Sequence, residues 1–168
     1  MIKYYLPKHA KILFIGINPH HGSFRRGVPF SNNKTFWYLL NQSGIINEKL
    51  EDLRDDAKLK EIYSRKFSSV YRLGLINVIS RPSRNVSELK KGEEAAGKKR
   101  ILSAIKESKP FVVCFVGKVT FQKFSGEKEV NFGWQKEIFG SKVFVMHFPI
   151  RGAASIRLKD LSIISNLL

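Results

Sequence analysis

The sequence predicts an α/β fold: a three-layer α/β/α sandwich around a central, mainly parallel four-stranded sheet. Three observations lead there. Short apolar runs recur along the chain, they stop at glycine or proline turns, and segments long enough to be crossover helices lie between them. The first run, Lys11-Ile12-Leu13-Phe14-Ile15-Gly16, is apolar on both faces, which suits a strand covered by helices on either side. Leu75-Ile76-Asn77-Val78-Ile79 is the second, and Pro110-Phe111-Val112-Val113-Cys114-Phe115-Val116-Gly117 the third. Lys142-Val143-Phe144-Val145-Met146-His147, shortly before Pro149, completes the set. Helices are expected over 34–42, 52–72, 87–108, 118–124 and 158–168. The clearest is 87–108, with Ser87 placed to cap, Glu88, Glu93 and Glu94 early, and Lys98, Lys99, Arg100, Lys106 and Lys109 late, as a helix dipole prefers.

At 168 residues, 43% hydrophobic and 26% charged, the chain reads as one folded domain spanning 1–168, with no repeat or low-complexity tract. Thirty Lys and Arg against fourteen Asp and Glu leave a net charge of +16, which points to a polyanionic partner. Charge alone fits a ribosome, a membrane surface or simple solubility equally well. Cys114, the single cysteine, sits inside an apolar run and reads as a structural thiol. One thiol excludes an iron–sulfur cluster or a cysteine zinc site. His20 and His21 are adjacent, so their side chains diverge, and no carboxylate lies at ligand spacing; no metal and no cofactor is expected. No signal-length or membrane-length apolar run is visible, so the expected location is the cytoplasm, at the nucleoid, with no membrane partner.

In parallel α/β sheets, ligands gather beyond the carboxyl ends of the strands. The segment after the first strand, Gly16-Ile17-Asn18-Pro19-His20-His21-Gly22-Ser23-Phe24-Arg25-Arg26-Gly27-Val28-Pro29-Phe30, is too long for a bare connector and is dense in cations and aromatics. An isolated Asn-Pro would be a turn starter. Here Gly16-Ile17-Asn18-Pro19 is followed by Gly27-Val28-Pro29-Phe30, by Phe36-Trp37 at the start of a helix, and by Arg72-Leu73-Gly74-Leu75-Ile76-Asn77-Val78-Ile79-Ser80-Arg81-Pro82. A basic helix and a strand ending at Gly117-Lys118 come next. In this order the motifs resemble the mismatch-specific branch of the uracil-DNA glycosylase superfamily, the mismatch-uracil and thymine-DNA glycosylases, over roughly residues 11–168.

The resemblance implies a monofunctional DNA glycosylase of base excision repair. It would hydrolyse the N-glycosidic bond of uracil in double-stranded DNA, especially in U:G pairs, with T:G as a secondary substrate, and would act as a monomer. Asn18 matches the residue that positions the attacking water. An amide can orient water but cannot take its proton, so the leaving base must be a good one. Phe30 matches the aromatic that stacks on the extruded base, with core packing as its competing role. Ile17, through its backbone amide, and Ser31 complete the expected base contacts. His147, by analogy with other branches, is the expected electrophile toward the base oxygen, against the alternative of a strand-end histidine satisfied by backbone. Arg25, Arg26, Lys34, Arg81, Arg151, Ser155 and Arg157 are expected on the DNA, with solvated surface charge as the alternative for the basic ones. The chain departs from the pattern at Phe148, where the family carries Asn before Pro149. That departure keeps two other readings open. One is a glycosylase for hypoxanthine or another deaminated purine, and the other is a basic nucleic-acid-binding module without catalysis.

Overall fold

Strands apolar on both faces must be covered on both faces, and the chain arranges this with two separate helical layers. The computed structural model describes residues 1–150 and 152–168. Ile12–Gly16 forms β1, Leu73–Asn77 forms β2 and Val112–Val116 forms β3, with every residue of all three buried. Gly133–Ile138 forms β4 and Ser141–Met146 forms β5, giving the sheet order β2-β1-β3-β5-β4. The pairs β1–β2, β1–β3 and β3–β5 are parallel; β4 runs antiparallel to β5.

The sheet therefore has five strands rather than the expected four. The missed β4 reads Gly-Trp-Gln-Lys-Glu-Ile, is only partly buried, and carries an irregularity between Gln135 and Ile138. An edge strand with one neighbour has no need of a continuous apolar run, and its lysine and glutamate suit an unpaired edge.

One layer consists of α2 (Thr35–Gln42), α3 (Leu50–Arg54), α4 (Asp56–Ile62) and α7 (Ala154–Ser165), preceded in the chain by the short α1 (His21–Arg26). Phe36, Trp37, Leu40, Leu59 and Leu161 from this layer pack on Ile12, Phe14, Leu75, Cys114 and Phe144 from the sheet. The opposite layer is α5 (Glu93–Ser108) and α6 (Lys118–Ser125), whose Ile101, Ile105, Phe121 and Phe124 pack on Leu13, Ile15, Val113, Phe115 and Val145. Alternate residues of each strand thus feed two different cores. Burial also pushes the Cys114 thiol well above its ordinary pKa, the behaviour of a structural rather than a reactive cysteine.

Two helical expectations need correction. The stretch 52–72 is not one helix: Asp55 adopts an extended conformation and caps α4 by accepting from the Lys58 amide, and a single π-turn, Tyr63–Phe67, follows α4. Helix α5 starts at Glu93, not at Ser87. Gly92, at φ 90°, breaks the chain there, and Ser87 lies in a 3-10 turn capped by the Asn85 side chain. Arg81 reaches across to Glu93 at 2.5 Å, holding the helix start against the end of β2. Gly97 then lets α5 lie directly on the strand end, since a Cβ there would stand 1.8 Å from the Val78 carbonyl oxygen.

With β2 and β3 on opposite sides of β1, the strand order reverses at β1, and the crevice beyond its carboxyl end is where this topology places a ligand.

Candidate active site

A cavity of about 540 Å³ opens at that crevice. It is built from four strand ends: Ile17 to His20 after β1, Ser83 to Ser87 after β2, Val119 after β3, and Phe148 with Ile150 after β5. Its floor explains the glycine of the first motif. A Cβ on Gly16 would lie 2.2 Å from Asn77 Oδ1 and 3.2 Å from the Phe30 ring, so only glycine lets the strand end, the amide and the aromatic meet.

Phe30 sits at φ 54°, in the left-handed region that costs a non-glycine residue about 1–3 kcal/mol. Its surroundings hold it there. The Trp37 indole N–H donates to the Pro29 carbonyl at 2.9 Å, the Ser31 hydroxyl donates to the Val28 carbonyl at 2.8 Å, and the Ser31 and Asn32 amides both donate to Ser23 Oγ. The Phe30 ring rests on Phe36, with centroids 4.4 Å apart and planes tilted by 31°, leaving it to line the cavity. The Phe36-Trp37 pair therefore supports the loop from below: one ring backs Phe30 and the other anchors the preceding residue.

Asn18 stands at the cavity wall with its amide engaged on one side. Its Nδ2 donates to Ser83 Oγ at 2.7 Å and to the Pro19 carbonyl at 3.2 Å. The Ser83 hydroxyl in turn donates to the Asn85 carbonyl at 2.9 Å, and its backbone N–H donates to the Pro19 carbonyl at 3.1 Å. With both amide N–H groups of Asn18 spent, Oδ1 is the atom left to accept, as an oriented water requires.

Asn77, buried at the end of β2, donates through Nδ2 to the Tyr4 hydroxyl at 2.7 Å. Arg100 on α5 donates to the Asn77 and Val78 carbonyls, fixing that strand end from behind. Burial raises the Tyr4 pKa from its ordinary value to about 12, against the smaller lowering effects of the Asn77 hydrogen bond and of Arg100. The folded state thus favours neutral Tyr4, and this stability is present below about pH 10 and lost as pH rises through about 12. A shift of this size corresponds to roughly 3 kcal/mol. Urea midpoints at about pH 9 and about pH 11.5 should fall further in the wild type than in Tyr4→Phe; equal falls would remove Tyr4 from the alkaline transition.

A family model described as the uracil DNA glycosylase superfamily matches residues 2–154. The chain belongs to the uracil-DNA glycosylase superfamily. The members of this superfamily are DNA glycosylases, hydrolases of DNA repair, so the general enzyme class and DNA as the partner follow.

Against this superfamily, the expected site residues separate into groups. Ile17, Asn18 and Phe30 line one cavity. Ser31 does not: it is buried, and its hydroxyl is spent on Val28. His147 is also absent from the cavity wall. Asp160 Oδ2 accepts from the His147 backbone N–H and meets its Nδ1, both at 2.8 Å, while the ring stacks on Phe132 at 3.6 Å. Consecutive residues of an extended segment point opposite ways, and it is Phe148, in line with Phe144 and Met146, that faces the cavity.

Among the cations expected on DNA, Arg26 and Lys34 share Asp56 at 3.1 and 2.6 Å, with Lys34 also donating to the Arg54 carbonyl, and Arg81 is paired with Glu93. The lysine and arginine hold the Asp56 carboxyl below its usual pKa. Arg157 is buried, not displayed on the surface, because it lies on the inward side of α7. Ser155 is exposed in the first turn of α7, and Arg25 is exposed on α1. Arg151 lies outside the described residues. Ser83, Asn77 and His20 line the cavity without having been singled out from the sequence as its chemistry. The motif ending at Arg81-Pro82 was legible, but it stopped short of Ser83, which only the fold brings to Asn18 across 65 positions.

Proposed function

We propose that this chain hydrolyses the N-glycosidic bond of uracil in double-stranded DNA, acting on U:G pairs above all and on T:G secondarily, as a monofunctional enzyme and a monomer. The observation that carries the reading is Asn18 fastened through Nδ2 to Ser83 at the wall of a cavity that Phe30 also lines. Extrusion would stack the base on the Phe30 ring, a contact worth about 1–3 kcal/mol for any base. The bond between C1′ and the base nitrogen then breaks with its electron pair leaving on the base. A water held by Asn18 Oδ1 adds its oxygen to the cationic C1′ and releases its proton to solvent, and the base anion is protonated afterwards. Among the described residues no carboxylate lines the cavity to deprotonate the water, so the rate follows the leaving-group quality of the base and favours uracil over thymine or cytosine.

Phe148 supports a second reading. With Val119 and Ile150 it gives the cavity an apolar wall where the family carries an amide, and about 540 Å³ is room enough for a purine. Hypoxanthine is the base that this wall would admit.

The test is a panel of duplexes carrying one U:G, U:A, T:G or hypoxanthine:T pair, followed by alkali to reveal abasic sites. Fastest release from U:G is expected. Faster release of hypoxanthine would favour the second reading, and no release above a protein-free control would overturn the glycosylase reading altogether.

A further inference from the structure

Beside the base cavity lies an open basin of about 520 Å³ lined by His20, His21, Phe24, Arg25 and Arg84. We propose that this basin binds one phosphodiester of the substrate strand, adjoining the extruded nucleotide; the proposal rests on reading the larger cavity as the base pocket.

Four features carry it. First, His20 and Arg84 line both the basin and the base cavity, so a ligand filling both must place a planar base and an anionic group close together, as a nucleotide does. Second, the two sides of the basin are fastened to each other. Pro19 and Ser83 are joined by the Ser83 N–H to Pro19 carbonyl bond, which sets their chain neighbours His20 and Arg84 side by side without help from DNA.

Third, the basin is lined by two arginines whose guanidinium groups, among the described residues, are not ion-paired, although the Glu88 carboxylate lies nearby and accepts from the Arg84 backbone N–H at 3.0 Å. Arg26, Lys34 and Arg81 are committed to Asp56 or Glu93. Among the described residues, neither the Arg25 nor the Arg84 guanidinium meets a carboxylate, and no acidic side chain lines the basin. Arginine offers a planar fork of donors matched to phosphate oxygens. Fourth, His20 is set to donate. Its Nδ1 accepts from the Gly22 N–H at 3.1 Å as the cap of α1, so the neutral ring carries its proton on Nε2. Phe24, half-buried, adds an apolar wall suited to a deoxyribose face.

The experiment measures binding by fluorescence anisotropy to a duplex with a non-cleavable tetrahydrofuran abasic site opposite guanine. Neutral methylphosphonate linkages are placed singly along the substrate strand. For wild type, one linkage next to the abasic site should weaken binding about tenfold, and the same linkage should cost Arg25→Ala/Arg84→Ala less than about twofold. On unmodified DNA the double variant should bind more weakly, with its salt slope reduced by about 1, the value for one phosphate contact. Arg26→Ala, whose guanidinium is tied to Asp56, should keep the wild-type slope. Equal methylphosphonate losses in both proteins at every linkage, or no sensitive linkage in wild type, would overturn the proposal. Uracil excision by the same wild-type preparation is read separately. Excision without coupling sinks the basin alone, whereas coupling without excision supports the basin and sinks the glycosylase reading.

Discussion

Replacing Asn18 with alanine is expected to lower the single-turnover rate of uracil excision by about 10³-fold while leaving DNA affinity within about twofold of wild type. The size follows from what is removed. Oδ1 is the Asn18 atom left to accept once Nδ2 donates to Ser83 and Pro19, and alanine has nothing with which to orient a water. The affinity is expected to persist because the loop does not depend on the Asn18 side chain. The Ser83 N–H to Pro19 bond and the Ser83 hydroxyl to Asn85 bond both survive the change. Ser83→Ala should be milder, about tenfold in rate, since it frees one amide proton and lets the Asn18 side chain rotate without removing its oxygen. Quench-flow or manual single-turnover assays with saturating enzyme, alongside anisotropy, check both. Wild-type rates in Asn18→Ala would overturn the water-positioning role, and a matching loss of affinity would reassign Asn18 to DNA binding.

The second large effect is on stability and runs against local propensity. In an exposed helix interior, Gly→Ala would stabilise by about 1 kcal/mol. Gly97→Ala in α5 is instead expected to destabilise by about 3 kcal/mol, because the new Cβ would stand 1.8 Å from the Val78 carbonyl oxygen and 2.8 Å from its carbon. Backbone on both sides leaves no flexible side chain to yield, so the helix must lift from the end of β2. Arg100, which donates to the Asn77 and Val78 carbonyls from the next turn of α5, would be displaced with it. Urea denaturation should show a lower midpoint at unchanged slope; a midpoint equal to or above wild type would show that α5 can move away at no cost.

These two positions illustrate how unevenly the sequence discloses its structure. Asn18 is legible because the motif around it is contiguous: the strand, the glycine and the Asn-Pro turn adjoin one another within β1 and its loop. Gly97 is illegible as a packing requirement, since a glycine inside a helical pattern signals only reduced propensity until Val78 is known to face it. The same contrast runs through the cations. Arg25, Arg26, Lys34 and Arg81 look alike as residues near a loop, yet three are consumed by Asp56 or Glu93, carboxylates that reach them from elsewhere in the chain.

Taken by itself, the sequence determined the parallel α/β core, the superfamily, and the strand ends that carry Asn18 and Phe30 to one cavity. Each of these rests on local information: apolar runs buried on both faces, glycine and proline turns, and motifs whose members are neighbours. Tertiary structure alone decided what depends on encounters between distant segments. It added the edge strand β4, whose partial exposure leaves no apolar signature, and it turned Phe148 rather than His147 toward the cavity through the alternation of β5. It also joined Ser83 to Asn18, and thereby set His20 beside Arg84. Hydrogen bonds and ion pairs of this kind are selected by distance in space, which chain order does not encode.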